Sequence, residues 1–316
     1  MASMHVVTPG MLTTIQDTGR WGWQNFGVPV AGPMDPRAHR LANALVGNDA
    51  GASTLEVTLS GPELVLDDDR FVAVTGANFE VTVDGVSRGL NTSFRVSAGL
   101  KLRFGVRRSG TRSYLAIEGG IDVPLVFNSR ATHLPSRVGG LDGRALRAGD
   151  RLPLGKGGAR RLAFGKGTTA TFPEPPKSRP TVRVLPGPQL GRFNAEALDV
   201  LQSAPYAISP SSNRMGFRLN GPQLIPKVET EMLSDATTIG AVQVPASGQP
   251  ILLMADRQTT GGYPTIATVI SADIGIAGQL APGDEIVFVV TTLREAIAAL
   301  IAEERALIAV ESRRDG

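Results

Sequence analysis

Apolar and polar positions alternate in short runs along much of this chain, and glycine or proline separates the runs. Phe71-Val-Ala-Val-Thr-Gly76, Phe79-Glu-Val-Thr-Val-Asp84, Leu100-Lys-Leu-Arg-Phe104 and Tyr114-Leu-Ala-Ile117 read as strands. A period of two sets alternate side chains on one buried face. Asp84-Gly85 predicts a tight hairpin turn, and Glu118-Gly-Gly120 a second turn. The apolar runs Pro250–Met254 and Ile266–Ile270 read as buried strands.

Helical periodicity is confined to three stretches. Asp35-Pro36 offers an N-cap followed by proline at the first helical position, and Ala38, Leu41, Ala42 and Leu45 then share one stripe before Gly47. This predicts a short helix that turns Arg40 and Asn43 away from its packed face and leaves His39 on the surface. Residues 194–201 predict a second short helix. Residues 292–311 predict the longest, with Leu293, Ile297, Leu300, Ile301, Leu307 and Ile308 along one side. Arg294, Glu295, Glu303 and Glu304 keep it out of a bilayer, so the apolar side is expected to pack on a barrel or a partner.

Pro173-Glu-Pro-Pro-Lys-Ser-Arg-Pro180 reads as a linker, because its prolines continue neither a helix nor a central strand. The expected organisation is an N-terminal domain over 1–172, a linker over 173–180 and a C-terminal domain over 181–316. Three marks recur in order in the two halves. Val7-Thr-Pro-Gly10 matches Val184-Leu-Pro-Gly187, the Gly61-Pro62 turn matches Gly221-Pro222, and Ala148-Gly-Asp150 matches Pro282-Gly-Asp284. The recurrence points to an old duplication.

Composition narrows the classes. With 316 residues, 37 glycines and 22 prolines, the chain suits two strand-rich domains. A net charge of +3 with dispersed basic residues gives no nucleic-acid footprint; Arg107-Arg108 and Arg160-Arg161 read as solvated faces. The absence of cysteine excludes disulfides and thiolate chemistry, and three scattered histidines predict no metal site. Neither a secretion signal nor a membrane span is visible, which sets the expected location as the cytoplasm. No Walker A loop, no nucleophile elbow and no Met-Lys-Met biotin-attachment sequence occurs. The expectation is that this chain's own motifs bind no cofactor.

Candidate chemistry concentrates in Ala255-Asp256-Arg257-Gln258-Thr259-Thr260-Gly261-Gly262-Tyr263-Pro264, between two buried strands. Polar groups buried there without partners would cost about 1–3 kcal/mol each, so they must pair or line a cavity. Thr14-Ile-Gln-Asp-Thr-Gly-Arg20 and Ser212-Asn-Arg-Met-Gly216 are further polar clusters. For the first, a structural turn is the simpler reading, with Asp17 accepting backbone donors and Arg20 pairing with a carboxylate.

Those motifs, with Gly32-Pro-Met-Asp35, Leu41-Ala-Asn43, Val46-Gly-Asn48, Leu55-Glu56, Gln243-Val-Pro245 and Pro282-Gly-Asp284, carry a family resemblance from about Val6 to Val290. The sequence resembles the biotin-dependent carboxyltransferase family also called allophanate hydrolase subunit 2, in its 5-oxoprolinase branch, with Kip-type kinase-inhibitor antagonists as relatives. The resemblance implies a mainly β fold of two cyclophilin-like β-barrel domains. It implies a hetero-oligomer with a subunit 1-like chain and a LamB/YcsF-like third subunit. The implied activity is ATP-dependent hydrolysis of a small cyclic amide or urea-type substrate, 5-oxoproline to glutamate foremost. ATP would be used by the complex, and biotin only by a carboxyltransferase. Asp235-Ala-Thr-Thr-Ile-Gly240 departs from the family pattern, which there has a proline- or glycine-rich turn.

On this reading Asp256 is the acceptor or general base. Arg257 or Arg214 meets carboxylate or oxyanion charge. Gln258, Gln243 and Asn43 orient the amide, Glu56 points inward and Tyr263 closes the pocket. These residues come from both halves of the chain, so the site is expected in a cleft between two barrels. The alternative for Asp256-Arg257 is an internal ion pair, and Glu56 reads equally as a paired structural carboxylate. The alternative for the whole chain is a binding protein that controls a partner, or the carboxyltransferase component of a biotin-dependent carboxylase.

Overall fold

The computed structural model describes residues 2–157, 179–227 and 232–312. Most of the expected linker (173–178), the end of the first half (158–172) and Arg160-Arg161 lie outside the described residues. The described residues form two compact units, one of 2–20, 31–157 and 304–312, the other of 21–30, 179–227 and 232–303. Both are mainly β, with short helices and one long C-terminal helix.

The first unit contains β1 (Ser3–Thr8), β2 (Leu12–Gln16), α1 (Pro36–Leu45), β3 (Thr54–Thr58), β4 (Glu63–Leu66), β5 (Arg70–Val83), β6 (Val86–Arg88), β7 (Thr92–Val96), β8 (Lys101–Ile117) and β9 (Arg151–Pro153). They make a nine-stranded sheet in the order β2-β3-β8-β4-β1-β9, with β5 joining β8 to β6 and β7. The four runs read as separate strands between 71 and 117 are two long ones. They pair antiparallel from Val72↔Ile117 to Val83↔Leu102, and register shifts between Gly76 and Val81 bend the ribbon where the sequence suggested breaks. Between β5 and β6, Asp84 and Gly85 have φ of 46° and 78°. Two successive left-handed residues are what the twist of a two-residue hairpin demands.

Asp35 caps α1 as expected, its carboxylate accepting from the Ala38 N–H at 3.0 Å. The polar side of α1 differs from the expectation, because this helix is packed on more than its apolar stripe. His39 and Asn43 are buried, 1% and 0% exposed, rather than turned to solvent. The His39 ring lies 3.0 Å from the Thr54 hydroxyl on β3, and the Asn43 amide donates to the Ala52 carbonyl at 2.7 Å. Arg40 is half-buried and bridges Glu304 and Glu311 at 2.7 Å each.

The second unit runs through β10 (Thr181–Pro186), α2 (Ala197–Gln202), β11 (Tyr206–Ile208), β12 (Gly216–Asn220), β13 (Asp235–Ala236), β14 (Ala241–Gln243), β15 (Ile251–Leu253), β16 (Thr260–Gly261), β17 (Thr265–Val269), α3 (Ile274–Gly278), β18 (Glu285–Val290) and the first part of α4 (Leu293–Glu311), whose residues from Glu304 belong to the first unit. Seven strands close a barrel in the order β10-β17-β14-β15-β12-β11-β18. Phe217, Leu219, Leu252 and Phe288 are buried. Strand alternation places Gly216, Arg218, Ile251 and Leu253 on the opposite, outer face. β13 and β16 form a separate two-stranded ribbon. In both units the strand ending at the Pro-Gly mark pairs with the strand that follows the Gly-Asp mark, antiparallel in β1–β9 and parallel in β10–β18.

The face that α4 buries is turned roughly a quarter-turn from the predicted stripe. Ala296, Leu307 and Val310 are buried, whereas Leu293, Ile297, Ile301 and Ile308 are exposed. Leu307 and Val310 pack with Leu41 and Leu45 of α1. No helix among the described residues is long and apolar enough to cross a membrane.

Candidate functional site

The Ala255–Pro264 loop is fixed at its start by an ion pair between distant residues. Arg214 Nε donates to Asp256 Oδ2 at 3.0 Å and Nη2 to Oδ1 at 2.9 Å, while the Asp256 N–H donates to the Arg214 carbonyl at 2.9 Å. Both side chains are buried, 6% and 1% exposed. The fork matches the planar guanidinium to both carboxylate oxygens. The internal ion pair considered from the sequence thus exists with Arg214, not Arg257, as the partner. Arg257 is 7% exposed, its Nε is buried, and its side chain has no hydrogen bond or ion pair among the described residues. Burial lowers its pKa.

Beyond Arg257 the loop turns outward into β16, which pairs with β13 through Asp235↔Gly261 and Ala236↔Thr260. The segment that departs from the family pattern is therefore the strand that backs the loop. The Thr237 hydroxyl donates to the Gln258 carbonyl, and the Thr237 N–H to the Thr259 carbonyl at 3.0 Å. At Gly261 the constraint is a close fit to side-chain ends rather than a left-handed φ. A Cβ there would come within 3.0 Å of Gln243 Nε2 and 3.3 Å of Gln258 Nε2.

Those two amides and Tyr263 line an open pocket of about 260 Å³ on the outer face of β12, β15 and β14. Ile251 and Leu253 form its apolar floor, and Asn213 and Arg218 complete its polar wall. Gln243 is buried and donates to the Tyr263 carbonyl at 3.3 Å, whereas Tyr263 is 42% exposed. A smaller cavity of about 60 Å³ shares Gln243 and Tyr263 with the pocket. Ligand sites for drug-sized molecules run about 300–1,000 Å³, so a pocket of 260 Å³ suits a smaller ligand.

Asn43 and Glu56 belong to the first unit. Glu56 Oε2 accepts from the Met34 N–H at 2.9 Å and from the Tyr114 hydroxyl at 2.7 Å, and Tyr114 in turn accepts from the Asp35 N–H at 2.8 Å. Burial, then the charges of Glu56 and Asp35, push the Tyr114 pKa well up, which keeps it a donor. Asn43 also accepts from Asn48 at 3.1 Å. Asp17 accepts from the Gly19 N–H, the Ser129 hydroxyl and the Arg130 N–H, as the structural-turn reading expects. Arg20 donates to the Ala131 and Val126 carbonyls.

Of the candidate residues, then, Gln243, Gln258 and Tyr263 share one pocket. Arg214, Asp256 and Arg257 belong to the same unit without lining it, and Asn43 and Glu56 sit in the other unit. Sequence reasoning missed Arg218. The signal was present in Gly216-Phe-Arg-Leu219, where alternation with two core residues sets the arginine outside the barrel.

A mainly β chain with a closed barrel and an outward amide-lined pocket narrows the class of protein, and sequence comparison fixes it. The chain belongs to the family described as carboxyltransferase domain, subdomain A and B, whose sequence model matches residues 26–290. It is 40% identical to a 5-oxoprolinase subunit of Escherichia coli, over 96% of either chain. It is 39% identical to the protein of the same name from Haemophilus influenzae, over 90% of this chain and 89% of that one. The crystal structure of Kluyveromyces lactis urea carboxylase superposes with a TM-score of 0.88 at 30% identity, covering 98% of this chain but only 29% of that much longer one.

Proposed function

We propose that this chain is part of an ATP-dependent amidohydrolase complex that opens the lactam of 5-oxoproline to give glutamate, and that it works in the cytoplasm. The observation that carries the reading is the near end-to-end similarity to two proteins named as 5-oxoprolinase subunits. A small pocket walled by two carboxamides supports it. A primary carboxamide both donates and accepts, so Gln243 and Gln258 suit the carbonyl and N–H of a small amide. Lactam hydrolysis adds water at the ring carbonyl and breaks the C–N bond, and the nitrogen leaves protonated as the amine of glutamate. The Gln258 amide is suited to the negative charge that develops on the carbonyl oxygen, and Arg257, buried beside it in the chain and outside the pocket lining, acts only through the placing of Gln258. Asp256 acts as a positioning residue that holds Arg214 and the loop, and Tyr263 covers the pocket. Asn43 and Glu56 act by holding the segments around α1.

The pocket is small for a nucleotide, so we assign ATP to a partner, of the subunit 1-like or LamB/YcsF-like kind. The exposed row Leu293, Ile297 and Ile301 on α4 offers a partner an apolar surface to cover. The second reading, carboxyl transfer from biotin to a urea nitrogen, draws on the family's description and the urea carboxylase likeness. Reconstitution with candidate partner chains decides between them. ATP-dependent glutamate formation from 5-oxoproline is expected only when this chain is present, and Gln258→Leu is expected to lower kcat about 100-fold. A complete complex that ignores 5-oxoproline but consumes urea and bicarbonate would establish carboxyl transfer instead.

A further inference from the structure

Arg218 is the only charged residue lining the 260 Å³ pocket among the described residues, and no carboxylate shares the lining with it. Three other arginines of the same unit have acidic partners: Arg179 pairs with Glu285, Arg183 with Asp273 and Arg214 with Asp256. The Arg218 guanidinium has no hydrogen bond or ion pair among the described residues. Its place is set by β12. Phe217 and Leu219, its chain neighbours, are 2% and 1% exposed, and its strand partner is Ile251 on the pocket floor. The strand that packs the barrel with Phe217 and Leu219 thus presents Arg218, an exposed residue, in the pocket lining beside Ile251, with the Gln243 and Gln258 amides in the same lining.

A guanidinium offers parallel N–H donors that match both oxygens of a carboxylate. We propose that Arg218 binds a carboxylate carried by the substrate, so that the pocket selects a carboxylated lactam over a neutral lactam or a urea. This assignment rests on the lactam reading above. It divides recognition into two parts, with Arg218 reading the acid and the two glutamines reading the amide.

The test uses the reconstituted complex with 5-oxoproline as substrate and 2-pyrrolidinone, the same ring without its carboxylate, as inhibitor. Arg218→Met is expected to raise KM for 5-oxoproline at least about tenfold, a loss of about 1.4 kcal/mol. Its kcat should hold within about twofold and the Ki of 2-pyrrolidinone should not move. Arg218→Lys, which keeps the charge but loses the fork, should fall between the two. Unchanged KM in Arg218→Met, in a wild-type complex that turns over 5-oxoproline, overturns the carboxylate site and leaves the lactam reading standing. Equal losses toward 5-oxoproline and 2-pyrrolidinone would also overturn it, since they mark a general disturbance of the pocket. A wild-type complex inactive on 5-oxoproline defeats the lactam reading itself.

Discussion

His39 lies under α1 against the Thr54 hydroxyl, and burial lowers its pKa to about 4 from the 6.5 of a free histidine. Nearby Asp17 and Glu56 act the other way but do not compensate. Between those two pH values the unfolded chain takes up a proton that the folded chain refuses. Stability is therefore full above pH 6.5 and falls as pH drops toward 4, by about 3 kcal/mol from this residue. Urea unfolding at pH 7.5, 5.5 and 4.5 should show the decline, and His39→Gln should flatten it while lowering stability at neutral pH. Parallel pH profiles for the two proteins would remove His39 as the cause. The same residue shows where local reading of the sequence stops. The apolar stripe of α1 was legible, but the opposite face is buried by Thr54 and Ala52, which only the folded chain brings there.

At the scale of elements, the β13–β16 ribbon sets how closely the loop approaches the pocket amides. A methyl at Gly261 would press on both pocket amides at 3.0 and 3.3 Å, while β13 holds the ribbon from the other side. Gly261→Ala is expected to lower kcat/KM about tenfold, since both amides must shift by only a few tenths of an ångström, with the melting temperature of the chain within a few degrees of wild type. Activity within a factor of three of wild type would show that the ribbon yields instead. Elements with local causes were legible from sequence: the Asp35 cap, the Asp84-Gly85 turn and the strands flanking the loop. Those with distant causes were not. β5 and β8 are continuous because each supports the other across bulges, and Asp256 finds its partner 42 residues away. In the site, the polar loop announced itself by composition and Gln243 through the family resemblance, whereas Arg218 required knowing which face of β12 looks outward.

For the molecule as a whole, the final turns of α4 return to the unit built by the start of the chain. Leu307 and Val310, 2% and 6% exposed, belong to the cluster around Leu41, Leu45 and Tyr114. Burying each aliphatic side chain contributes about 1.5–3 kcal/mol, so the two together approach the scale of a domain's whole stability. The ion pairs of Arg40 with Glu304 and Glu311 are partly solvated and add less, about 1 kcal/mol or under. A chain ending at Glu303 is therefore expected to lose hydrogen-exchange protection in α1 and the adjoining part of β8, while β14, β15 and β17 of the closed barrel keep theirs. Leu307→Ala should reproduce the same pattern more weakly, with a loss of about 2–5 kcal/mol confined to the first unit. Protection lost equally in both units would mean that the helix stabilises the molecule globally. Protection lost in neither would mean that α1 is held by the sheet alone, and that the buried leucine at the end of the chain contributes little.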